Sequence, residues 1–170
     1  MENKYKSIRL IIYVSEIIIA FVVQQTPGFI PEIFGGRPML LIPLIVSVVM
    51  FQNETTSIFL GLLVGLMMDF GAGSIIGLYA IIMTLISYAI SFFSGRLIKI
   101  NIFSSLIFSF LSITIIYMIN ILLTCILYGF DNFVYMFINH YLSRMLYTFA
   151  LSPLFYFINK SVEFSIRPKY

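Results

Sequence analysis

Glu16, Asp69, Cys125, His140 and Arg144 are reactive or ionisable side chains set in or beside apolar runs. Catalysis would ask more of them than their type. General acid–base work needs a second group within hydrogen-bond reach, and a metal site needs several ligands. Glu16 and Asp69 are isolated carboxylates, and His140 is the sole histidine, with no second ligand nearby. Cys125 is the sole cysteine, so it forms no internal disulfide. No zinc-binding helix motif, phosphate-cradling loop or nucleophile elbow occurs. Neither an enzyme nor a metal or cofactor site is expected, and the polar residues need another account.

The elements around them supply it. The chain has 170 residues, 61% hydrophobic and 10% charged, with a mean hydropathy of +1.04. Soluble domains run at about 45–50% apolar and about 25% charged. So little charge cannot coat a water-facing surface, which excludes a soluble enzyme, a disordered regulator and a disulfide-stapled secreted domain. A single integral membrane domain is expected. The net charge is only +3, with cations gathered at the chain ends and in one short loop. That distribution reads as membrane topology, and no nucleic-acid partner is expected.

Crossing ~30 Å of hydrocarbon takes ~20 helical residues. Six continuously apolar runs are candidate helices: Ile8–Val23, Met39–Phe51, Ser57–Met68, Ile75–Phe93, Ile102–Tyr128 and Tyr141–Ile158. Glu16 interrupts the first, and no small-residue cleavage site follows it, so it reads as an uncleaved span. Met39–Phe51 is short, and Pro43 is placed to kink it. Two readings fit Met39–Met68: two short spans, which the length range favours, or a re-entrant hairpin tipped by Gln52-Asn53-Glu54. Lys160–Tyr170 reads as a polar tail. With both termini cytoplasmic, Lys4, Lys6, Arg9, Arg96, Lys99, Lys160, Arg167 and Lys169 all lie inside, as the positive-inside rule requires.

Ser57, Gly61, Gly65 and Asp69 recur every four residues and make a small-residue groove on one helix face. Close backbone approach at such residues holds membrane helices together. A seam within the same chain is the first reading, and a seam for a second protein is the other. Asp69 is expected to accept hydrogen bonds from the turn Phe70–Ser74, while Ser74 caps the next helix and Gly77 lets that helix start close to a neighbour. Glu16 and Arg144 are intramembrane charges, functional hypotheses by default. They either pair across the bundle, or Arg144 snorkels to the outer interface. Ser105, Ser109, Ser112, Asn120 and Thr124 form a polar stripe suited to interhelical hydrogen bonds.

Gly36-Arg37-Pro38-Met39 feeding a short helix, Gly61-Leu62-Leu63-Val64-Gly65-Leu66-Met67-Met68-Asp69, the turn Gly71-Ala72-Gly73-Ser74, and Gly77-Leu78-Tyr79-Ala80 together resemble the rod shape-determining protein MreD family. The resemblance is sharpest from Pro38 to Ala80. Its signature positions here are Pro38, Gly61, Gly65, Asp69 and Gly77, and it implies no catalytic role for any of them. It implies an all-α, six-helix transmembrane bundle similar to the substrate-binding components of energy-coupling-factor transporters. It also implies a non-catalytic part in bacterial lateral-wall peptidoglycan synthesis. The implied partner is the membrane-anchored MreC, with MreB, RodA and a class B penicillin-binding transpeptidase acting indirectly and membrane lipid all round. The rival is a vitamin-binding transporter component of the same fold. The first helix, Ile11 to Ala20, lacks that family's alanine-x-x-x-alanine docking pair.

Overall fold

The computed structural model describes residues 2–29, 31, 37–72, 77–128 and 141–166. All secondary structure among them is helical: α1 (Glu2–Gln25), α2 (Leu41–Val49), α3 (Glu54–Ala72), α4 (Leu78–Arg96), α5 (Ile102–Tyr128), α6 (Ser143–Ala150) and α7 (Ser152–Ile166). Among the described residues, four stretches are long and apolar enough to cross a membrane: Ser7–Gln25, Glu54–Gly71, Leu78–Arg96 and Ile102–Leu123. Their outer faces expose large apolar side chains such as Ile11, Phe59, Ile81 and Phe103. Water would penalise such a surface, whereas lipid accepts it.

Two runs depart from the sequence reading. The last one breaks at Leu151 into α6 and α7. Pro153 has no N–H to give the Phe149 carbonyl, and the Ser152 hydroxyl donates to that carbonyl instead, at 2.8 Å. The predicted polar tail is helical as far as Ile166, with Glu163 buried inside the bundle. Pro43, in turn, is the third residue of α2 and falls in its first turn. The Met39 carbonyl it would otherwise have engaged accepts from Ile42 N–H at 3.4 Å. A proline there starts a helix rather than kinking one.

At nine residues, α2 is about 14 Å long, yet it is the centre of the molecule. All nine residues are buried, and it packs against every other helix. A helix apolar all round belongs in such a place. Tyr13 and Ile17 of α1, Val64 of α3, Met83 of α4, Ile113, Ile116 and Tyr117 of α5 and Tyr156 of α7 complete the core. The Asn159 amide of α7 reaches the Ser47 hydroxyl of α2 at 2.6 Å, a buried polar link.

Contacts at the two ends fix the relative directions of the helices. Leu41 N–H, at the start of α2, donates to the Gln24 side chain at the end of α1, 3.2 Å away. Phe51, Gln52 and Asn53, just past α2, line a cleft with Ser7 and Arg9 at the other end of α1. The Ser91 hydroxyl near the end of α4 donates to the Gln52 carbonyl at 2.8 Å, and Arg96 pairs with Glu54 at 2.9 Å. The α2–α3 turn thus reaches the end of the bundle, at the level of Arg9 and Arg96, rather than stopping midway. The path from Pro38 to Asn53 runs from one end to the other.

Candidate functional site

Local sequence explains how α3 and α4 come so close. They form the most extensive helix pair in the molecule, and the contact runs through Gly61 and Gly65. A Cβ built on Gly65 would collide with the Ala80 Cα and lie 2.5 Å from the Tyr79 carbonyl oxygen. One built on Gly61 would lie 2.6 Å from Ser87 Oγ and 2.8 Å from the Met83 carbonyl oxygen. Backbone meets backbone at this seam, which only glycine permits. Ser57 completes the stripe; it is fully buried and its hydroxyl has no hydrogen-bond partner among the described residues.

Asp69 ends the stripe, and its donors among the described residues lie past the Phe70–Ser74 turn, part of which is outside the described residues. Its Oδ2 accepts from Gly77 N–H at 2.9 Å and Ala80 N–H at 3.1 Å, and its Oδ1 accepts from Tyr79 N–H at 3.0 Å. Those are the orphan donors at the start of α4. A carboxylate there faces the positive end of the helix dipole, which offsets the unfavourable position near the end of its own helix. Asp69 therefore acts as a cap supplied from the neighbouring helix. Gly77 also has a role other than close approach. Nothing lies within 4 Å of a Cβ built on it, but its φ is +98°. The left-handed backbone that turns the chain into α4 is what requires glycine. Ser74 and His140 lie outside the described residues, as does the Thr124 side chain.

Tyr79 extends the arrangement to α5, its hydroxyl donating to the Asn120 side chain. Pro38 is buried where the chain enters α2. The next residue, Met39, donates its N–H to the Thr148 hydroxyl of α6 at 3.1 Å. Thr148 thus anchors the chain just ahead of α2 and Gln24 satisfies the helix's first N–H, and spacing gave no signal for either. Among the described residues, Ser105 and Ser109 of the α5 stripe are buried with no hydrogen-bond partner for their hydroxyls, whereas Ser112 donates to its own helix at Phe108 O, 2.7 Å away.

Among the described residues no ion pair joins Glu16 to Arg144, as one of the two readings of these charges had it. Glu16 Oε2 and Arg144 Nε are each buried with no hydrogen-bond partner among the described residues. The ion pair between the first and last helices joins Arg9 to Glu163 at 2.5 Å, and the Tyr13 hydroxyl donates to the same carboxylate at 3.4 Å. Both acid and base lie where the sequence reading had placed solvent-facing ends.

The stripe, the cap and the proline entry occupy one continuous region, and a family comparison covers it. Residues 4–161 match the family described as rod shape-determining protein MreD. This chain belongs to the MreD family. The match runs from α1 into α7, beyond the Pro38–Ala80 stretch that carries the resemblance in sequence. Membership gives the chain a role in rod shape determination, and the apolar helices make it a membrane protein. MreD is a shape-determination family rather than an enzyme family. Comparison with curated proteins and with solved structures gives no match.

Proposed function

We propose that this MreD-family chain is a non-catalytic scaffold of the bacterial elongation machinery. It crosses the cytoplasmic membrane six times with both termini inside, binds MreC, and helps position the peptidoglycan-synthesis enzymes. The observation that carries the reading is the use made of Asp69. The carboxylate most conspicuous in the sequence is fully engaged with three backbone N–H groups, so it serves architecture rather than proton transfer. The alternating helix directions support six crossings, α6 and α7 together making the last. The gathering of Arg9 and Arg96 at one end supports a cytoplasmic face there. The likeness to energy-coupling-factor substrate-binding components belongs to the same proposal. The vitamin-carrier alternative has no observation in its favour once the family is MreD.

A bundle with so little mass outside lipid recognises partners through helix faces, where shape and a few polar contacts decide affinity. Co-purification from mild detergent tests this directly. MreC of the same organism should be recovered with the chain, and depletion of the chain should round or widen rod-shaped cells. Repeated failure to recover MreC would remove the scaffold reading.

A further inference from the structure

Outside the α3–α4 seam, one feature of the membrane-embedded surface is unfinished. At one end, α1 and α7 are clamped by Arg9, Tyr13 and Glu163. Beyond the clamp the two helices flank an apolar groove of about 250 Å3. Its α1 wall is Glu16, Ile19, Ala20 and Val23, the i, i+3, i+4, i+7 face of one helix. Its α7 wall is Phe155 and Ile158, and its floor includes the buried Leu40 and Leu44 at the start of α2. Only 17% of the Ser7–Gln25 stretch is buried, against 39% in each of the other three long helices, so α1 is the least covered of them.

Glu16 decides what belongs in this groove. One of its carboxyl oxygens is buried and has no hydrogen-bond partner among the described residues. A carboxyl group at membrane depth, charged or protonated, demands a polar partner. A lipid tail would fill the space and leave that demand unmet. We propose that the groove receives one transmembrane helix of another protein, apolar along its length and carrying at mid-membrane a side chain whose N–H or O–H donates to Glu16. The proposal rests on the reading that the chain binds a membrane-anchored partner, and it assigns that partner's site to the α1–α7 groove.

Co-purification of MreC with the full chain, normalised to folded, monodisperse protein, tests the site. Ile19 is 62% exposed in the groove and Ile81 is 65% exposed on α4, so tryptophan at either position leaves the bundle core untouched. Ile19→Trp and Glu16→Leu should each lower MreC recovery at least tenfold. Glu16→Gln, which keeps an acceptor, should stay within about twofold of wild type, and Ile81→Trp should match wild type. If wild type, Ile19→Trp and Glu16→Leu recover MreC equally, the groove assignment is overturned while the scaffold reading stands; a lipid tail in the groove gives this result. Equal losses from Ile81→Trp and Ile19→Trp also overturn it. Absence of MreC from the wild-type sample overturns both the scaffold reading and this site.

Discussion

The α3–α4 seam and the α1–α7 groove each place a carboxyl group among apolar helices, and they treat it in opposite ways. At the seam, glycines bring backbones into contact and Asp69 receives three N–H donors. At the groove, larger side chains hold the walls apart and Glu16 keeps a buried oxygen without a partner. The contrast teaches that a charged residue at membrane depth is not informative by its type. Whether its hydrogen-bonding capacity is consumed inside the fold separates a structural carboxylate from one left available to a second molecule.

Substitutions can break or sharpen this contrast, and the largest effect is expected at Asp69. Asp69→Ala leaves buried N–H donors at the start of α4 without an acceptor, at about 1–3 kcal/mol for each such group. Thermal unfolding in detergent should show a loss of about 4 kcal/mol, or no folded protein at all. Asp69→Asn should be intermediate, because it keeps one acceptor and turns an N–H2 toward the remaining donors. An Asp69→Ala protein as stable as wild type would remove the distinction between the two regions.

Gly65→Ala comes next. The new methyl group meets the backbone of Ala80 and Tyr79, which cannot swing aside as a side chain does. A cost of about 3 kcal/mol is expected from forcing the seam apart, visible as a lower Tm. Gly77→Ala meets no steric contact and loses only the ease of a positive φ. About 1–2 kcal/mol should be lost in the same assay. Equal costs at Gly65 and Gly77 would mean that close approach and backbone conformation had been wrongly told apart. The smallest effect belongs to the groove. Glu16→Leu should change the stability of the isolated chain by no more than about 0.5 kcal/mol, or raise it, since an unmatched polar atom is exchanged for an apolar one.

Much of the seam was legible in the sequence, because a four-residue repeat of small side chains has a direct meaning on a helix. The central place of α2 was less so. Met39–Phe51 announces a short apolar helix, but enclosure on every side depends on elements far away in the chain. Gly77 shows a related ambiguity, since a glycine wanted for close contact and one wanted for a left-handed turn are the same letter. The Arg9–Glu163 pair was hidden behind periodicity. Glu163 follows Lys160 in a segment polar enough to pass for a tail, and only the path of α7 brings it against α1. Pro153 lies inside Tyr141–Ile158, which reads as one uninterrupted span, and its effect shows only beside Ser152 and Phe149.

The enclosure of α2 bears on how the molecule is made. Nine residues, eight of them apolar, cannot hold a place across ~30 Å of hydrocarbon unaided. Their surroundings include α5 and α7, and the Ser47–Asn159 bond joins positions 112 residues apart. When α1 to α3 have left the ribosome, the segment destined for the middle still lacks most of its walls. Its final seat is therefore set late, when the C-terminal helices arrive, and any lesion in α7 should be felt first at the heart of the protein rather than at its edge.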